Sequence, residues 1–148
     1  MRETGIERRV RDVRITTIYE GTSQIQVAAS LKSVLGDVLK ERFDEWANAE
    51  YPAGLGEIVT LVCETRGRFD EYLTAIKDLD NDSVKDAAAR DLADMYSQIF
   101  GSYLLLRQAV VDSARTENAK QYAIASFASA EEKLAALKKG KFDKWRTG

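Results

Sequence analysis

Histidine is absent from the 148 residues. That omission removes Ser-His and Cys-His nucleophilic catalysis, together with the commonest transition-metal ligand. Cys63 is the only cysteine, so no internal disulfide can form, which fits a reducing compartment. No apolar run approaches the roughly 18 residues that a membrane span needs, and no signal-peptide core follows the basic start. The expected location is therefore cytoplasmic, with a membrane not expected as a partner. The net charge of −2 supplies no field that would attract nucleic acid. Pro52 is the only proline, and between Leu61 and Gly140 the only glycines are Gly67 and Gly101. Helix breakers are thus scarce through most of the chain.

What is present is helical spacing. Apolar residues recur at intervals of three and four for most of the length, and strand-like alternation is rare. The fold class this predicts is all-α: an up-and-down bundle of about four long helices, preceded by a short helix and an irregular turn. The short helix is placed at about Glu7 to Val13 and the turn at residues 15–21. Ser23 with Gln26 forms a capping-box pattern, and Thr22 competes for the cap. The helix that follows is expected to run to about Ala49 without interruption. It would turn Leu31, Val34, Leu35, Val38, Leu39, Phe43 and Trp46 to one face, until Tyr51 and Pro52 stop it.

Further helices are expected from about Leu55 to Leu79, Ser83 to about Arg115, and Glu117 to Lys138, with Gly140 ending the last. Val110 and Tyr122 are assigned to inward faces, and Cys63 to the core. Residues 80–83 supply the cap between the second and third long helices. The spacing of Asp78, Asp80 and Asp82 mimics a calcium loop, but Ser83 and Ala89 stand where its glycine and bidentate glutamate belong. A capping turn is the preferred reading. The basic tail, with Lys138, Lys139, Lys141, Lys144 and Arg146, is read as solvated or packed in preference to lipid-bound.

The run from Val10 to Gln26 carries the chemistry. Its core, Ile18, Tyr19, Glu20, Gly21 and Thr22, is flanked by Arg11, Asp12 and Arg14 on one side and by Ser23, Gln24, Ile25 and Gln26 on the other. Alone, a glutamate before a helix start is an ordinary stabilising arrangement. The whole string, however, closely resembles the catalytic-base segment of flavin-dependent acyl-CoA dehydrogenases, over about residues 2–35. The resemblance implies α,β-dehydrogenation of acyl-CoA thioesters with FAD as cofactor. Glu20 would take the α-proton while a hydride leaves for the flavin. Gly21 would let substrate approach the backbone, and Thr22, Ser23 and Gln24 would lie beside FAD, where helix N-terminal amides suit a diphosphate. Tyr19 either lines the acyl pocket or wedges the segment into the core, and Arg11, Asp12 and Arg14 are read as structural. A base for so weak an acid needs desolvation to raise its pKa.

In that family several hundred residues precede the base, so the chain reads as a C-terminal portion. Residues 1–22 would end the dehydrogenase domain and residues 23–148 would form a helical extension sharing its first helix. Met1 is either an internal methionine of a longer protein or the start of a split gene. The isolated chain is expected to be inactive and not to retain FAD. Its implied partners are acyl-CoA, an electron-transfer flavoprotein, the rest of the dehydrogenase chain and further copies in a homo-oligomer. The alternatives are a fragment of a related acyl-CoA oxidase, or a non-catalytic helical assembly module.

Overall fold

The computed structural model describes Val13 and residues 23–145. The expected short helix and the turn ahead of residue 23 lie outside this range, apart from Val13, which is helical. The all-α expectation holds: the described residues form five α-helices and no strand. These are α1 (Ser23–Leu35), α2 (Lys40–Ala47), α3 (Gly56–Asp78), α4 (Asp82–Val111) and α5 (Thr116–Lys138). Each of α3, α4 and α5 packs on the other two, α1 lies against α4, and α2 touches α4. α4, at 30 residues, is therefore the central member.

Periodicity explains the long helices. Val62, Phe69, Tyr72 and Ile76 of α3 and Leu92, Met95, Ile99 and Leu106 of α4 are fully buried, at helical spacing on one face of each helix. α5 contributes mostly small residues, with Ala119, Ala123, Ser126 and Ala130 all buried. Such side chains let its backbone approach its neighbours closely, leaving few voids to fill. Most buried polar groups of the three-helix core find partners, Gln98 Oε1 being the exception among the described residues. Buried Thr65 returns its hydroxyl to the Leu61 carbonyl at 2.7 Å, and Ser102 bonds Ser126 across α4 and α5 at 3.3 Å.

Helix ends follow local chemistry. Asn81 caps α4, its side-chain oxygen accepting from the Val84 N–H at 3.1 Å. Residues 78–82 thus serve as the capping turn, with Asp80 at φ 42°. α5 ends in a Schellman motif: Gly140 sits at φ +83°, its N–H donates to the Leu137 carbonyl, and the Lys141 N–H donates to that of Ala136. The tail is packed, with Phe142 only 3% exposed. Lys141 pairs with Asp91, which also accepts from buried Tyr72 at 2.8 Å. No described helix is long and apolar enough to cross a membrane.

The structure departs from the sequence reading at four places. The first helix does not continue to Ala49: it stops at Leu35 and resumes at Lys40. A second Schellman motif forms there, with Asp37 at φ 50° and the Val38 N–H donating to the Ser33 carbonyl at 3.2 Å. The break rotates Val38 off the apolar face and leaves it 64% exposed. Second, α4 ends at Val111 instead of near Arg115, because Asp112 takes extended dihedrals and caps a short 3-10 turn through the Ala114 N–H. Third, Val110 is 44% and Tyr122 38% exposed, although the Tyr122 ring still lies over Gly101 of α4. Fourth, Cys63 is exposed. It falls with Asp70 on an exposed flank of α3, where its thiol meets the hydroxyl of Tyr103 from α4.

Candidate functional site

Of the six residues nominated from the sequence, Tyr19, Glu20, Gly21 and Thr22 lie outside the described residues. Ser23 and Gln24 open α1, and only their backbone is described. Arg11, Asp12 and Arg14 also lie outside. The structure therefore bears on the support for this segment rather than on its chemistry.

That support is α1 and the elbow after it. The early turns of α1 are lightly covered, with Ile25, Ala28 and Ala29 exposed. Its last turns are anchored: Val34 is 5% exposed, and Leu31 and Leu35 pack against the core. Burial of this apolar stripe at the C-terminal half is what joins α1 to α4.

The elbow is held by groups from α3 and α4. Arg66 of α3 reaches Asp37 with both terminal nitrogens, one of them at 3.0 Å from Oδ1. The two side chains are only 12% and 13% exposed. Arg66 also binds Asp70, one turn along α3, at 3.0 Å. Its guanidinium lies 5.3 Å from the ring centres of both Phe43 and Phe69, within range of cation–π attraction. Burial works against its charge, but the hydrogen bonds and charges of Asp37 and Asp70 more than reverse this, raising its pKa. From α4, the Tyr96 hydroxyl accepts the Leu39 N–H at 2.7 Å, satisfying a donor at the start of α2.

Beyond the elbow, α2 inserts Phe43 and Trp46 among Tyr96, Phe100 and Tyr103, with ring centres 5.3–6.3 Å apart. Burial raises the pKa of Tyr96 to about 12. It also drives Tyr72 and Tyr103 well above the ordinary phenol range, with a hydrogen bond to Asp91 adding to the effect at Tyr72. These phenols remain neutral in the folded protein and serve packing.

Other surfaces offer less organised chemistry. At the Val111 end of α4, an open groove of about 800 Å³ is lined by residues including Tyr51, Leu104, Arg107 and Val111. Arg107 stacks over Trp46 at 5.5 Å, and Arg115 pairs with Asp112 at 3.2 Å. Glu50 and Asp112 line the same groove, so its charges do not favour a ligand of either sign. Among the described residues no group of three or more acidic or thiol side chains is gathered as a metal site.

The Asp37–Arg66 pair was not anticipated from the sequence. Gly36 followed by Asp37 was the available signal, since glycine and then a residue tolerant of left-handed dihedrals often close a helix. The partner at residue 66 had no such signal, because 29 positions separate the two.

No curated protein and no solved structure matches the chain. Over residues 1–35, the stretch that contains Glu20 and ends with α1, the chain matches the family model of the acyl-CoA dehydrogenase C-terminal domain.

Proposed function

We propose that residues 1–35 supply the base-bearing end of an FAD-dependent acyl-CoA dehydrogenase, and that the bundle after the elbow is an appended domain bracing it. The observation that carries this reading is a coincidence of boundaries. The family match stops at Leu35, the residue at which α1 stops, and the packed bundle follows. A helix shared between two units would have this form: its start belongs to the catalytic segment and its end to the extension.

In this reading Glu20 accepts the α-proton of the thioester, and bound FAD supplies the hydride acceptor. Gly21, lacking Cβ, leaves room for substrate, and Tyr19 borders the acyl chain. Thr22, Ser23 and Gln24 meet the cofactor's phosphates, where backbone amides at the start of α1 favour an anion. The intact enzyme acts on acyl-CoA, passes electrons to an electron-transfer flavoprotein and works as a homo-oligomer. An oxidase would share the base and differ in its acceptor, and rapid reoxidation of the reduced enzyme by oxygen would identify it.

The test is Glu20→Gln in the complete enzyme. Turnover of acyl-CoA should fall by at least about a thousandfold, as expected for loss of an essential base, while the bound flavin spectrum is retained. Near-normal turnover would remove Glu20 from its role. A second reading, a helical assembly module, is favoured by the independent core of α3–α5, where Val62, Leu92 and Ala130 are fully buried. Self-association of the purified chain without any activity in the complete protein would support it.

A further inference from the structure

The spacing of Leu31, Val34, Leu35, Val38, Leu39, Phe43 and Trp46 suits one unbroken helix, and no proline interrupts it. The chain nevertheless turns at Asp37, one of two non-glycine residues at positive φ among the described residues. The other, Asp80, has its carboxylate in solvent, at 94% exposure, and closes a helix that has reached its end. Asp37 differs on both counts. Its carboxylate is 13% exposed and gripped by Arg66 from another helix, and its turn interrupts an apolar pattern that continues.

Arg66 touches both arms of the elbow. Its terminal nitrogens hold Asp37, on the α1 side, and its planar face lies over Phe43, on the α2 side. An arginine is suited to this double duty, since the guanidinium bonds in its plane and stacks on its face. Tyr96 completes the hold by accepting the Leu39 N–H. The bend thus joins a helix-closing signal at Gly36 and Asp37 to contacts from α3 and α4, where the apolar spacing alone would run straight on.

We propose that Arg66 and Asp37 form a latch on the elbow, and that by fixing the direction of α1 they act as positioning residues for the segment carrying Glu20. The latch itself requires nothing from the dehydrogenase reading; the positioning role rests on it. The elbow lies immediately after the residue where the family match ends, so it is the joint through which the bundle would act on the catalytic segment.

Hydrogen exchange on the full 148-residue chain tests the latch. In Arg66→Gln and Asp37→Ala, the amides of Leu39, Lys40 and Phe43 should exchange at least about tenfold faster, with those in the centres of α4 and α5 changing less than about twofold. Unchanged exchange at the elbow would overturn the proposal, as would equal acceleration throughout the bundle. Asp37→Gly separates the latch from backbone strain, because glycine adopts the left-handed turn freely but offers no carboxylate. Exchange faster than wild type is expected; wild-type protection would show the ion pair to be dispensable and refute the latch.

In the complete enzyme, Arg66→Gln should lower kcat more than it alters KM and shift the pH dependence of kcat, which reports the base in the substrate complex. An unaltered pH profile and kcat would overturn the positioning role, leaving the latch to the exchange data. Should Glu20→Gln retain activity, the dehydrogenase reading fails instead, and the exchange result still decides the latch.

Discussion

Alkaline pH should unfold this protein through its buried phenols. Tyr72, Tyr96 and Tyr103 are at most 7% exposed, and burial is the largest influence raising each pKa above the ordinary value of 10.0. Tyr96 reaches about 12, and the other two lie higher. Since the folded values exceed the unfolded ones, the stabilising contribution is complete below about pH 10 and is lost as pH rises through the folded values. Each tyrosine should cost about 1.4 kcal/mol per pH unit above pH 10, so the three together remove about 4 kcal/mol by pH 11. That is a large part of the 5–15 kcal/mol typical of a domain.

Urea unfolding across this pH range, followed by far-ultraviolet circular dichroism, measures the slope. Near-ultraviolet tyrosinate absorbance shows whether ionisation accompanies unfolding. Tyr72→Phe should lower neutral-pH stability by about 1.5–3 kcal/mol, by removing a hydrogen bond to a carboxylate. Its stability should then fall with pH by about 1.4 kcal/mol per unit less steeply than wild type, so the two curves converge. Reversible ionisation of all the tyrosines near their ordinary value, with helicity intact, would refute the reasoning.

Gly67→Ala should stabilise the chain by about 1 kcal/mol, because a Cβ there meets nothing within 4 Å and the position lies mid-helix in α3. Calorimetry should show Tm rising by about 2–4 °C. Gly140→Ala should do the reverse, because its φ of +83° is unfavourable to alanine. A loss of at least about 1–2 kcal/mol is expected in urea unfolding. Phe43→Ala, at a position 1% exposed in the aromatic cluster, should cost about 3–5 kcal/mol by the same measurement.

Much of the architecture was legible as pattern. The inward faces of α3 and α4, the cap before Val84 and the stop at Gly140 each depend on neighbours within about five positions, and local sequence records such neighbours directly. The misplacements share a different cause. Val38 and Cys63 fit apolar faces by spacing, yet face solvent because the bend in one helix and the flank of another are set by packing. For the candidate site, the string from Tyr19 to Gln24 was readable because its order of residues is distinctive. The elbow that supports it was not, because Arg66 reaches Asp37 across 29 positions.

The amino-acid order by itself determined that this chain is helical, and it is a resemblance in that order that nominates Glu20 as a base. Periodicity and a contiguous motif are both short-range properties, present before any folding. Only the tertiary structure decided that the helix leaving that motif bends at Asp37 and that Tyr96 is buried against the bend. The bend sets an apolar spacing that continues through it against a local closing signal at Gly36 and Asp37 and an ion pair and ring contacts made with other helices. Such a balance is struck only once those helices have come together.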